Sequence, residues 1–325
     1  MIKEISHPRL KDPILIAAWP GMGEVAYRSA TFIKEALGCK MFAQLETGHF
    51  FKPAAVTVSK GIIDLPAIPA GLFYYHKSKN NRDIIIFLGE MQPTLEHAEA
   101  LSTVVIDFAR KYKAKSMLTF AAKPEPIDHK GFSSIWLAGT HKEFLKEFDK
   151  FKAKKLEEGQ ISGLNGVILG VAKKKGIRGI CFLGEIPFYT VQIENPKANL
   201  GILQIINKYL NLGMDLSSLV KRSKFIEKEV DKLIAYLKGE MQTPPEGPMP
   251  LSEEDIEKIK KDLAAYTKLP QSARKKIEEL FLTAKKDITV ANTLKKELDS
   301  WNVYKEYEDK FLDLFRKSKK KKNIQ

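Results

Sequence analysis

The sequence predicts an α/β fold, a mostly parallel, mixed sheet covered by helices on both faces, with an all-α C-terminal extension. Three observations carry this. Over the first two-thirds of the chain, short runs that are apolar throughout alternate with stretches of helical period. After Leu212 the pattern is helical only. That helical part is broken by Thr243-Pro244-Pro245-Glu246-Gly247-Pro248-Met249-Pro250, whose prolines forbid a helix. The expected division is an α/β core over 1–242 and, over 243–325, a linker and helical extension ending in a basic tail.

The elements follow in order. Residues 13–19 read as a buried strand, which Gly21 and Gly23 turn into a helix over 24–37. Val25, Ser29, Phe32, Ile33 and Leu37 share one face of that helix, and Gly38 closes it. Strands are expected at 39–45, 55–58 and 71–75, the last two flanking a loop with Pro66 and Pro69. Antiparallel strands would enter around Gly71. Residues 83–88 form a strongly buried strand ending in Gly89-Glu90, and a helix covers 95–111. Further strands are expected at 116–122, 134–137 and 180–183, with helices at 164–175 and 198–212.

At the end of the core a long helix is expected over 216–237, and the extension begins past the proline-rich break. Ser252 is of N-cap type, with Asp255 three residues on. Ile256, Ile259, Leu263 and Tyr266 then recur at helical spacing. Neither Gly nor Pro interrupts 271–322, and Ile277, Leu280, Ala284, Ile288, Ala291, Leu294, Leu298 and Trp301 continue a near-heptad stripe. Such a stripe suits a partner helix or a hairpin folded on itself. Weak helix formers at Ile288-Thr289-Val290 and Ser300-Trp301-Asn302-Val303 mark where it would break. On this reading Ile256, Ile259, Leu263, Leu280, Leu294, Leu298 and Trp301 are the candidate partner-binding residues.

Composition narrows the function classes. Apolar residues make up 44% of the chain, enough for a buried core and too many for a disordered one. The net charge of +14 is uneven. Between Met214 and Arg316, 20 basic and 20 acidic residues cancel, residues 317–325 add five lysines, and the remaining nine charges lie in the first 213 residues. A basic balance fits nucleic-acid, acidic-lipid or acidic-protein partners, and equally fits ordinary solubility. The lysine tail offers nucleic acid electrostatic contact without base-reading chemistry. Cys39 and Cys181 sit in strand-like apolar runs, which predicts buried free thiols in a reducing compartment. The polar N-terminus predicts no export signal, and no apolar run approaches the roughly 20 residues of a membrane span. The expectation is a soluble, cytoplasmic protein.

Three constellations are candidates for chemistry. Gly21-Met22-Gly23-Glu24-Val25-Ala26 matches the glycine pattern of a dinucleotide-binding turn, with Glu46 about where a ribose carboxylate would stand. The same glycines equally serve a strand turning sharply into a helix. In Gly159-Gln160-Ile161-Ser162-Gly163-Leu164-Asn165-Gly166, Ser162 and Asn165 either cap the next helix or line a cleft. No His or acid stands at a triad spacing from Ser162. Glu90 and Glu185 end strands, where two carboxylates perform acid/base work or each hold a loop. The ligand-cleft candidates are therefore Gly21, Gly23, Glu90, Ser162, Asn165 and Glu185. The six histidines are scattered, so no metal, cofactor or catalytic residue is assigned.

Four segments, in order, resemble the proteasome-assembly-chaperone-two family. They are Trp19-Pro20-Gly21-Met22-Gly23, Phe87-Leu88-Gly89-Glu90-Met91-Gln92-Pro93, Ile161-Ser162-Gly163-Leu164-Asn165-Gly166, and Gly176-Ile177-Arg178-Gly179-Ile180-Cys181-Phe182-Leu183-Gly184-Glu185-Ile186-Pro187. The resemblance covers about 13–237. It implies a three-layer α/β/α sandwich of nucleoside-phosphorylase/hydrolase type and a non-enzymatic assembly chaperone or scaffold. It also implies protein partners, proteasome subunits among them, and a homo-oligomer. The alternative it leaves open is an enzyme binding a nucleotide or nucleoside at the strand carboxyl edge. Some family members end in a hydrophobic-Tyr-any tripeptide that docks into the proteasome, whereas this chain ends Asn323-Ile324-Gln325.

Overall fold

The computed structural model describes residues 1–52, 55–79, 82–237, 254–259, 271–301 and 303–321. The strands are β1 (Ile2–Glu4), β2 (Ile14–Ala18), β3 (Lys40–Leu45), β4 (Thr57–Ser59), β5 (Ile62–Asp64), β6 (Gly71–His76), β7 (Ile84–Gly89), β8 (Ser116–Glu125), β9 (Ile135–Gly139), β10 (Lys154–Lys155) and β11 (Arg178–Pro187). Nine of them form one sheet in the order β1-β3-β6-β7-β2-β8-β11-β9-β10, and β4 pairs with β5 alone. The centre is parallel, β2 running alongside both β7 and β8. β1, β3, β6 and β7 pair antiparallel in succession, as expected around Gly71. β9 is antiparallel to β11 and parallel to β10.

Every residue of β2 and β7 is buried, so both faces of the central sheet are covered. Side chains alternate between faces. Leu15, Ala17, Trp19, Ile85 and Phe87 pack under α2 (Leu95–Lys111) and α4 (Leu164–Lys174), with Leu101, Val105 and Ile168 facing them. On the opposite face α1 (Val25–Ala36) packs against β2 and β7, and α5 (Pro196–Tyr209) against α1 and β9. These are the three layers of the predicted sandwich. The short helix α3 (Lys142–Lys146) packs on β9, and α6 (Ser217–Leu237) agrees with the predicted 216–237.

The chain forms two compact units, one of Met1–Lys123, Phe132–Ile186 and Ile193–Lys228, the other of Pro124–Gly131, Pro187–Gln192 and Glu229–Gln325. In the second unit, helix α7 (254–259) precedes α8 (Gln271–Lys286), α9 (Ala291–Ser300) and α10 (Tyr304–Lys321). The stripe does not run straight. A 3-10 turn at Ile288–Val290 separates α8 from α9, and α9 ends at Ser300, at the two places where weak helix formers stand. The three helices fold on one another around Ile277, Phe281, Ala284, Leu294, Leu298 and Phe311. The proline-rich break, Ser252 and Leu263 lie outside the described residues.

Candidate functional site

The parallel register of β2 on β7, Ile14 opposite Ile84 through Ala18 opposite Leu88, makes both strands end at the same edge. Three of the sequence motifs meet there through two carboxamides. Asn165, buried at the start of α4, accepts the Trp19 backbone N–H at 3.0 Å through Oδ1 and donates Nδ2 to the Trp19 carbonyl at 3.1 Å. Gln92 donates Nε2 to the Pro20 carbonyl at 2.6 Å and accepts the Leu164 N–H at 2.8 Å. Asn165 thus does not cap α4; the distant Gln92 engages its first amide, and the N-cap is Gly163 at φ 77°. Ser162 is exposed just before it. The Trp19 indole N–H is buried and has no hydrogen-bond partner among the described residues.

Gly21 has an extended backbone that any residue adopts. Gly23 differs: its φ is 59°, and a Cβ there would come within 2.9 Å of Asn195 Nδ2. The Gly23 carbonyl accepts the Asn195 N–H, joining this turn to the chain beyond β11. Two amides of the turn are engaged inside it, Glu24 N–H by the Gly21 carbonyl and Val25 N–H by the Met22 carbonyl, and are not offered to an anion. Acidic groups also crowd this place. The Tyr27 hydroxyl is pushed above its ordinary pKa first by burial, then by the carboxylates of Glu90 and Glu24. Arg28 is held by Glu24 at 2.6 Å and Glu194 at 3.7 Å. Strand order also argues against a dinucleotide unit. β3, which follows α1, is separated from β2 by β6 and β7, and Glu46 at its end pairs with the N-terminal amine of Met1.

Glu90 and Glu185 each hold a loop. Glu90 Oε2 accepts the Ala70 N–H at 2.7 Å, and its own N–H donates to the Ala70 carbonyl. Glu185, buried, accepts the Ser134 N–H at 3.0 Å and the Trp136 indole N–H at 2.6 Å. Their strands, β7 and β11, have β2 and β8 between them. Three strand spacings are about 14 Å, wider than the roughly 5–10 Å of carboxylates that act as an acid/base pair.

Glu90 instead anchors a feature that periodicity did not isolate. With Thr47, whose hydroxyl donates to the Pro69 carbonyl, it fixes the base of the long connection between β3 and β6. From that base β4 and β5 form a hairpin whose register sets Val58 opposite Ile63. Continued one residue each way, the alternation adds Val56 and Leu65 to the same face. These four side chains are 51–72% exposed. Thr57 and Asp64, paired with each other, turn to the other face together with the pair Ser59 and Ile62, and Ile62 is itself 65% exposed.

The stripe candidates are distributed as follows. Leu294 and Leu298 are fully buried in the α8–α10 cluster, with Leu280 and Trp301 packed partly buried on it. In α7, Ile259 is buried and Ile256 half-buried. The second unit also holds a polar chain that scattered histidines could not announce. His129 Nδ1 and its backbone N–H both lie 3.0 Å from the Tyr189 hydroxyl, and Nε2 lies 3.0 Å from Asp231 Oδ1, which Lys130 also meets at 2.8 Å. Burial pushes the Asp231 carboxyl up, but the bonds from Lys130 and His129 outweigh it and hold it below its ordinary range. Among the described residues no cluster of three or more His, Cys, Asp or Glu could hold a metal ion, and no helix is long and apolar enough to cross a membrane.

A family model described as the PAC2 family matches residues 15–234. An uncharacterized protein of Methanocaldococcus jannaschii is 25% identical over 264 residues, 77% of this chain and 93% of that protein. PbaB of Pyrococcus furiosus, described as an archaeal proteasome activator, is 27% identical with a TM-score of 0.62, covering 72% of this chain and 98% of PbaB. PbaA of the same organism, described as an archaeal homolog of proteasome-assembly chaperone, shares the fold at 22% identity and a TM-score of 0.57, over 74% of this chain and 94% of PbaA.

Proposed function

Since this chain belongs to the PAC2 family, we propose that it is a non-enzymatic assembly chaperone or scaffold that acts through protein–protein contacts, with proteasome subunits among its partners. The similarity to PbaB carries this reading, because it spans nearly the whole of that chain. The exposed aliphatic face of the β4–β5 hairpin supports it, since a surface of that kind marks contact with protein. The strand-edge loops support it in a second way. Their amides and carboxamides bind one another, which suits a rigid platform better than an anion site. On this reading the protein works in the cytoplasm as a homo-oligomer. Residues 1–242 form the assembly core and 243–325 add a further contact region, from Ile256 to Trp301.

The test is recovery of the tagged protein from its native cell, with mass spectrometry of what accompanies it. Proteasome subunits in stoichiometric amounts are the expected result, and their absence under conditions that preserve proteasomes counts against the proposal. The purified protein should also turn over no nucleotide or nucleoside above background. A turnover abolished in both Glu90→Gln and Glu185→Gln would replace the scaffold with an enzyme.

A further inference from the structure

α10 is divided by charge. Up to Asp313 acids and bases are mixed, with Glu306, Glu308 and Asp309 among Lys305 and Lys310. From Arg316 to Lys322 six of seven residues are cationic, and no acid follows Asp313. Five of the six, Arg316, Lys317, Lys319, Lys320 and Lys321, stand on the last turns of α10. Phe311 and Leu314 are the residues of this helix that the α8–α10 cluster buries, and the basic run begins past them. Neither the helix nor solubility calls for such a run. One or two cations in the last turn answer the helix dipole, and the effect fades beyond that turn. Further ones repel, since Arg316 and Lys320, and Lys317 and Lys321, are like charges four residues apart. Solubility is served by charge spread over a surface, whereas the stretch from Met214 to Arg316 is neutral and the excess that follows sits in this one place.

We propose that these turns bind the phosphodiester backbone of a nucleic acid without reading its sequence. Charge spacing selects that partner. Five cations over six helical residues span about 9 Å, roughly one per 1.8 Å, and a duplex carries one negative charge per roughly 1.7 Å. The side-chain type agrees. All but Arg316 are lysines, which meet phosphate as point charges rather than as forks on a base edge. An anionic bilayer is the nearest rival, because Leu312 and Phe315 beside the run are 43% and 42% exposed. Phe315, however, is held against Phe311 with ring centres 5.6 Å apart, and no apolar residue follows it before Ile324, so the run has little to insert into lipid. The run lies outside residues 15–234, which the PAC2 family model matches, so the inference stands apart from the scaffold reading.

Fluorescence anisotropy of the full-length protein with labelled duplex DNA, duplex RNA and single strands, each in two unrelated sequences, tests this. Binding at about 50 mM salt is expected, equal for the unrelated sequences. On duplex DNA the slope of log K against log salt should be about −3 to −5, as four or five neutralised phosphates require. A variant combining Lys317→Gln, Lys319→Gln, Lys320→Gln, Lys321→Gln and Lys322→Gln should bind at least about tenfold more weakly, with the slope flattened to about −1. A control combining Lys142→Gln, Lys146→Gln, Lys150→Gln, Lys152→Gln and Lys173→Gln removes the same charge from exposed places in the first unit and should leave affinity and slope nearly unchanged. Circular dichroism and melting temperature should not fall in either variant, which separates lost contact from lost fold. The wild-type slope reads the contact without any substitution. Absence of binding by the wild-type chain, equal weakening by the two variants, or a tenfold preference between sequences overturns the proposal. Sedimentation with phosphatidylserine vesicles decides the rival. Vesicles that retain the wild-type chain but not the 317–322 variant, where nucleic acid retains neither, would make the run a lipid site and overturn the proposal.

Discussion

Asn165 is 5% exposed, and both ends of its amide bind the backbone of Trp19, 146 residues away. An amide here acts as one more strand partner for a chain segment that has just left the sheet. Asn165→Ala removes two hydrogen bonds and leaves a buried N–H and C=O without partners. The expected loss is about 2–4 kcal/mol, read as a lower denaturant midpoint at constant m-value. A loss under 0.5 kcal/mol would mean that water replaces the amide at no cost. Gly89 makes a comparable demand, since a Cβ there would collide with the Trp19 indole. Gly89→Ala should cost about 1–3 kcal/mol. Asn165 was legible as a notable residue because it lies in a glycine-bracketed segment before a helix. Its partner was not, because a side-chain-to-backbone bond across 146 residues leaves no periodic trace. The pairs at Glu90 and Glu185 were legible in kind, as carboxylates holding loops, but not in target.

Elements whose burial is complete were the readable ones. β2, β7 and α1 fall within a residue or two of where their apolar patterns place them, because a run buried on both faces has few alternatives. Strands that owe their existence to pairing were missed or cut short. β1 and β10 are short edge strands of mixed or charged sequence, and β11 runs on through Glu185 because Gly184 pairs with Ile135. The β4–β5 turn was hidden because its two central residues, Lys60 and Gly61 at φ 51° and 80°, adopt a conformation usually announced by Asn-Gly or Asp-Gly. In the extension the stripe left open whether its apolar residues meet a partner or one another, and α8, α9 and α10 bury Leu294 and Leu298 among themselves. Leu298→Ala should therefore destabilise this cluster by about 2–5 kcal/mol. Hydrogen exchange should speed up across 271–321 while the amides of β2 and β7 keep their protection. Equal loss of protection in both regions would mean that the two units unfold as one.

The whole molecule is basic, and its response to acid follows from where its carboxylates sit. Glu4 is held below its ordinary pKa by the Lys111 ammonium first and the Tyr112 hydroxyl next. Asp215 is lowered by the Ser217 N–H and hydroxyl, and Asp287 by the Thr289 hydroxyl and N–H. Asp231 is lowered through Lys130 and His129 against the pull of its burial. In each case the folded value lies below the unfolded one. Their stabilisation is therefore complete above the unfolded values, about 4, and disappears as pH falls through the folded ones. Protonating them also adds positive charge to a chain already at +14, so repulsion acts in the same direction. At the alkaline end the sign reverses. Burial pushes Cys39 and Cys181 up to about 12 from an ordinary 9, so the unfolded chain ionises its thiols first and stability falls between those values. Urea midpoints measured against pH should thus form a plateau from about 5 to 8, with a steep acid limb below 4 and a shallower alkaline limb above 9. Raising the salt concentration should soften the acid limb, since the repulsion it contains is between exposed charges. A midpoint that rises between pH 5 and pH 3 would mean that the carboxylate pairs at Glu4 and Asp231 do not stabilise the folded chain.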